Sequence, residues 1–172
     1  MVYGPREDSL LLEQAVKQYA EGRVLDIGTG SGIQARAAIA LGLETLACDI
    51  DPEAVAAAKA AGVNAIQSDL FENISGAFDT IVFNPPYLPD AEPRDIALDG
   101  GPTGMELLTR FLTEAKHYLS PGGQILFVQS SITGIGKTKS LLTGLGYEYE
   151  TVSSTSILTE ELVVFRAWKK RS

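Results

Sequence analysis

The stretch that decides the fold is "VLDIGTGSG", Val24 to Gly32. Its apolar start predicts a short buried strand from Arg23 to Ile27. Gly28, Gly30 and Gly32 follow at alternate positions, where the backbone can turn sharply and let a ligand come close. A helix rich in alanine is predicted from Ser31 to Leu41 and stops at Gly42; its first turn offers unpaired N–H groups to an anion. The spacing is GxGxG, and Ile33 stands where a dinucleotide fingerprint needs its third glycine. A nicotinamide dehydrogenase is therefore disfavoured.

Helix and strand patterns alternate on both sides of this turn, the mark of a mainly parallel sheet covered by helices. Asp8 to Tyr19 carries Leu11, Leu12, Ala15, Val16 and Tyr19 at helical spacing. Further strands are predicted over Glu44–Asp49, Val63–Gln67, Phe78–Phe83 and Gln124–Gln129. Further helices are predicted over Pro52–Ala61, Met105–Leu119 and Lys137–Leu145. "SPGG", Ser120 to Gly123, reads as a turn. Tyr147–Ser153 and Leu162–Trp168 read as a closing antiparallel pair. The expected fold is α/β and Rossmann-like, a seven-stranded, mostly parallel sheet with helices on both faces.

The chain has 172 residues, enough for one domain with a real core. Cys48 is the sole cysteine, which excludes an internal disulfide and a cysteine zinc cluster, and no metal site is expected. Lys and Arg number 14 against 22 Asp and Glu, for a formal charge of −8. That balance argues against autonomous nucleic-acid binding. The N-terminus has no secretory pattern, and no apolar run is long enough to cross a bilayer. A soluble cytoplasmic protein is expected. His117 has no partner motif and is expected to be a structural or surface histidine. Glu160 and Glu161 are expected to face solvent.

In such sheets ligands bind at the carboxyl ends of the strands. The first strand ends in Asp26 and the glycine turn, with Gly28, Thr29 and Gly30 as cofactor-binding candidates. The second ends in Asp49, placed to accept from both hydroxyls of a ribose. Asp51 is the weaker candidate for the ribose, because it precedes Pro52 and can simply cap the next helix. The third ends at "SDLF", where Asp69 can accept from an adenine amino group while Ile50 and Leu70 flank the ring. A ribose, an adenine and an anionic end without a pyrophosphate describe S-adenosylmethionine, whose cationic sulfonium suits an acidic pocket.

The fourth strand ends in "NPPY", Asn84 to Tyr87. A residue before proline is pushed into an extended conformation, and Pro85 and Pro86 contribute no N–H donors. The result is a stiff turn lined by acceptors. A planar –NH2 group has two donors, one for the Asn84 side-chain oxygen and one for the Pro85 carbonyl, while Tyr87 can lie on its flat face. A glutamine carboxamide, an adenine N6 and a guanine N2 all satisfy this arrangement.

"VLDIGTGSG", "CDIDP", "QSDLF" and "NPPY", in this order, resemble a class I S-adenosylmethionine-dependent methyltransferase. "VYGPREDSLLL", Val2 to Leu12, and "ALDGGPTGMELL", Ala97 to Leu108, resemble the short HemK-like branch found in archaea and eukaryotes. The resemblance implies the class I methyltransferase fold and N5-methylation of the glutamine in the Gly-Gly-Gln loop of a translation release factor. It also implies a contact of Ser9 with the methionine end of the cofactor, a place for Asn84 in both cofactor and acceptor sites, and a small zinc-binding activator protein as partner. The edge strand Val63–Gln67 is a candidate surface for that partner. Bacterial members carry an N-terminal helical domain, whereas this chain enters the catalytic fold almost at once. A single methyltransferase domain over 1–172 is expected, with a helical segment at 1–22 and the catalytic core at 23–172. The rival readings are a DNA or RNA amino-methyltransferase and a cofactor-binding scaffold without turnover.

Overall fold

The protein is described by a computed structural model, whose described residues are 6–85 and 104–171. The elements are α1 (Glu7–Tyr19), β1 (Val24–Ile27), α2 (Ile33–Ala40), β2 (Thr45–Asp49), α3 (Pro52–Ala60), β3 (Ala65–Gln67), β4 (Phe78–Phe83), α4 (Glu106–Ala115), β5 (Leu119–Ser130), α5 (Ile135–Gly144), β6 (Tyr147–Ile157) and β7 (Glu160–Lys169). The seven strands form one sheet in the order β3-β2-β1-β4-β5-β7-β6. β3, β2, β1, β4 and β5 run parallel, while β7 is antiparallel to both β5 and β6. β1 and β4 are neighbours at the point where the strand order reverses, the place where sheets of this kind bind ligands beyond their carboxyl ends.

Each inner strand feeds two cores, because successive side chains point to opposite faces. Leu25 and Ile27 of β1, Ile81 and Phe83 of β4, and Ile125 and Phe127 of β5 enter one core. Val24, Val82, Leu126 and Val128 enter the other, where Leu12 and Val16 of α1 cover them. A sheet covered on both faces needs near-continuous apolar strands, and "TIVF" and "QILFV" supply them. Phe111 of α4 plugs the first core. Its ring centroid lies 4.3 Å from that of Phe83 and 5.7 Å from that of Phe71.

The predicted turn at Ser120–Gly123 is a bulge within β5 instead. Phe78 of β4 pairs with Leu119, and Thr80 pairs with Gln124, so the intervening residues loop out and pairing resumes. Gly123 is needed here, since a Cβ would lie 2.9 Å from the Ser120 carbonyl oxygen. α4 ends at Ala115, earlier than predicted, because the chain must turn to enter β5. The closing strands extend further than predicted and pair from Tyr147–Lys169 to Ile157–Glu160. Glu160 is not simply solvent-facing, as it accepts a hydrogen bond from Ser130 Oγ. Asp51 does cap α3, accepting from Glu53 N at 2.9 Å, and Cys48 is fully buried. His117 is exposed just before β5 begins, at the end of the sheet opposite the carboxyl ends of the parallel strands.

Phe111 is completely buried and touches two aromatic rings, so Phe111→Ala should cost about 3–5 kcal/mol of unfolding free energy. Urea denaturation measures this, and a loss below about 1 kcal/mol would show that α4 is not anchored by this ring.

Candidate active site

The glycine turn after β1 is held by two carboxylates. Gly28, Gly30 and Gly32 have φ of 68°, 54° and 84°, in the left-handed region open to glycine at no steric cost. Asp49 Oδ2 accepts from Gly30 N at 3.0 Å, and its Oδ1 accepts from Asp51 N at 2.9 Å. The expected ribose acceptor thus also ties the turn to the end of β2. Each carboxylate oxygen keeps further lone-pair capacity for a hydroxyl donor.

Asp26 lies beneath the turn and is fully buried. It accepts from Thr29 Oγ1 at 2.7 Å, and Thr29 is itself buried. Burial pushes the Asp26 carboxyl up to about 7, against the pull of hydrogen bonds from Thr29 and the Ala35 backbone, with the charge of Asp49 adding to the rise. Burial also raises Asp49, against backbone hydrogen bonds from Asp51 and Gly30. Two carboxylates that resist ionisation next to one another suit a cationic ligand, whose charge would offset theirs. The Cys48 thiol is pushed up to about 12, first by burial and then by Asp26, which makes it core and no nucleophile.

The two residues expected to flank an adenine are unequal. Ile50 is half-exposed at the end of β2. Leu70 is buried, in a left-handed conformation (φ 50°), and its carbonyl accepts from Ser68 Oγ at 2.8 Å. Asp69 is partly exposed and carries an ion pair. Its Oδ1 accepts from Arg110 Nη1 of α4 at 2.9 Å, and Arg110 Nε binds Glu114 Oε2 at 3.2 Å. Sequence reasoning missed Arg110, because nothing in its neighbourhood marks which carboxylate it will meet.

Asn84 follows β4 directly. Its Nδ2 donates to Ser9 Oγ of α1 at 3.1 Å. Its Oδ1 is buried and has no hydrogen-bond partner among the described residues. Pro85 is buried beside it. Pro86, Tyr87 and the loop from Leu88 to Thr103 lie outside the described residues. Ser9 is buried and contacts a third element, accepting from Gln34 Nε2 of α2 on its carbonyl at 2.9 Å. Sequence reasoning also missed Gln34; the available signal was a lone amide in the apolar helix "IQARAAIA".

Ser9, Asp26, Thr29, Asp49 and Asn84 therefore converge at the carboxyl ends of β1, β2 and β4, with Asp69 beyond β3. Residues 7–156 match the family model described as the methyltransferase small domain. The chain belongs to that family. A Methanocaldococcus jannaschii protein named for protein N5-glutamine methylation is 40% identical over an alignment of 181 positions that covers 98% of this chain and 92% of that protein. The release factor glutamine methyltransferase of Deinococcus radiodurans is 37% identical over 68% of this chain but only 48% of its own length. This chain thus spans about half of that bacterial relative. Among solved structures, the E. cuniculi Mtq2–Trm112 complex, responsible for methylation of the translation termination factor eRF1, superposes with a TM-score of 0.80. Its identity is 26%, and the match covers 98% of this chain and 99% of that one. The class I methyltransferase architecture inferred from the strand ends is thereby borne out.

The Asp26 environment has a consequence in pH. The folded chain keeps a proton that the unfolded chain, with an ordinary carboxylate, has already released. Stability from this group is full below about pH 4 and is lost as pH rises through about 7. The urea midpoint of the ligand-free chain should fall between about pH 5 and about pH 7.5, and Asp26→Asn should flatten the fall. An equally steep fall in the variant would place the titrating group elsewhere.

Proposed function

We propose that the chain is an S-adenosylmethionine-dependent methyltransferase acting on the side-chain amide nitrogen of a protein glutamine, in the Gly-Gly-Gln loop of a translation release factor. The observation that carries this reading is the Asn84 amide. Its donor end is engaged by Ser9, and its acceptor end is buried and unpaired among the described residues. An unpaired buried acceptor costs about 1–3 kcal/mol, which a donor from the substrate would recover.

Asp49 would hold the cofactor's ribose, Ile50 one face of its adenine, and Asp69 its amino group through the oxygen that Arg110 leaves open. The glycine turn with Gly28, Thr29 and Gly30, together with Ser9 and Asp26, would hold the methionine end, and Leu70 would back the adenine pocket. The bound cofactor supplies an electrophilic methyl group next to a positive sulfur. The acceptor side is the work of this chain's own residues. Asn84 Oδ1 accepts one N–H of the carboxamide and the Pro85 carbonyl accepts the other, with Pro86 stiffening the turn and Tyr87 against the flat face. Both N–H groups are then tied in the plane, so the nitrogen lone pair points out of it. Fixing that geometry can contribute roughly 7–11 kcal/mol in well-oriented systems. A strong base is not required before attack, because the nitrogen becomes acidic only as it gains the methyl. The lack of a histidine in the site follows from this chemistry.

The names of the relatives support the glutamine acceptor, and the charge of −8 weighs against a nucleic-acid acceptor. Residues 1–172 would act as one methyltransferase domain in the cytoplasm, where release factors work. β3 ends the sheet with an edge unpaired among the described residues, and this edge would accept a strand from a small zinc-binding activator protein. The solved complex of a structurally similar chain with Trm112 supports a partner of that kind.

Tritiated-methyl transfer tests the acceptor. The chain, with and without an activator, is offered a release factor, the same factor with its Gly-Gly-Gln glutamine replaced, tRNA, rRNA and duplex DNA. Label on the intact factor alone is expected, and label on nucleic acid would overturn the reading. Asn84→Ala should leave cofactor affinity within a few-fold while nearly abolishing transfer; normal turnover would refute the assignment. Asp49→Ala should instead weaken cofactor binding by about 1–3 kcal/mol, measured by calorimetry.

A further inference from the structure

Gln34 is a polar residue on the buried side of an alanine-rich helix. It lies in the first turn of α2, is 3% exposed, and shares that side with Ala35, Ala37 and Ala38. Only one end of its amide is engaged. Nε2 donates to the Ser9 carbonyl at 2.9 Å, while the buried Oε1 has no partner among the described residues. An apolar side chain of the same length would fill the space without an orphaned acceptor. The amide must therefore be explained by what its N–H holds.

What it holds is Ser9. The Ser9 carbonyl takes Gln34, and the Ser9 hydroxyl oxygen takes Asn84 Nδ2 at 3.1 Å. A continuous line of polar contacts thus runs from the helix behind the glycine turn, through α1, to the end of β4. The line has a direction. With Nδ2 donated to Ser9 Oγ, Oδ1 is the end of the Asn84 amide left without a partner among the described residues. If Ser9 shifted, the Asn84 amide would be free to flip and present N–H donors to a substrate that also presents N–H donors. That arrangement repels the acceptor group instead of holding it.

We propose that Gln34 is a positioning residue for methyl transfer, fixing through Ser9 which end of the Asn84 amide faces the acceptor. The proposal rests on the glutamine-methyltransferase reading of this site. Gln34→Met tests it, since methionine keeps the length and removes the donor. With whichever acceptor the native chain labels, kcat should fall about 10- to 100-fold, as misplacement of a reacting group does. KM for the acceptor and Kd for the cofactor should stay within about threefold. Ser9→Ala should lower kcat at least as far and should also weaken cofactor binding, since Ser9 would stand at the methionine end; in kcat the double variant should be no worse than the less active single, because both act on Asn84 through one line.

A second readout does not depend on turnover. The Asn84 side-chain NH2 signals in 1H–15N spectra, identified by their absence in Asn84→Ala, should move toward solvent-exposed positions in Gln34→Met. Unchanged kcat, additive losses or unmoved Asn84 signals would overturn the proposal. If Gln34→Met does not fold, Gln34→Asn must show the same loss in kcat alone. Failure of both to fold would make Gln34 a structural residue only and likewise overturn it. Should the native chain label no release factor, the glutamine reading fails, while the spectroscopic comparison still decides whether Gln34 orients Asn84.

Discussion

The whole site hangs on the left-handed turn after β1 and on the carboxylate that holds it. Asp49 reaches from β2 to the Gly30 amide, so two neighbouring parallel strands share one rigid corner. Behind it, Asp26 is buried with Thr29 in a place where ionisation is costly. The corner is thus built from groups that would be destabilising in a plain core. Under the proposed function, a cationic, hydroxyl-bearing ligand would offset that cost by satisfying both the charge and the remaining lone pairs.

The sheet order separates the tasks. β3, β2 and β1 bring Asp69, Asp49 and Asp26 to one side, whereas β4 brings Asn84 to the boundary with the other. β5, β7 and β6 extend the sheet beyond that boundary. Ser9 sits where the two halves meet, bonded to Gln34 of α2 and to Asn84 at the end of β4. α4, which follows the Asn84 loop in sequence, returns across the aromatic core and places Arg110 on Asp69. The two halves of the sheet's carboxyl edge are therefore linked by side chains far apart in sequence.

Most of the fold was legible because strongly periodic segments leave little choice. "TIVF" and "QILFV" can only be strands buried on both faces, and the apolar set of α1 fits only a helix. The errors lie where two local preferences compete. Ser120–Gly123 has the chemistry of a turn, yet strand pairing on either side absorbs it as a bulge. Glu160 looked solvated because a hydroxyl partner 30 residues away leaves no trace in its neighbourhood.

The sequence by itself determined the strand-end chemistry: where the backbone must turn, which carboxylates stand at the ends of β1, β2 and β3, and which amide precedes the prolines. Those are local properties of residue type and spacing. Only the tertiary structure decided which of these groups meet, that Asp49 clasps Gly30, that Arg110 occupies Asp69, and that Gln34 and Asn84 share Ser9. Side-chain pairing across distant elements depends on sheet order and helix packing, and no local spacing encodes it.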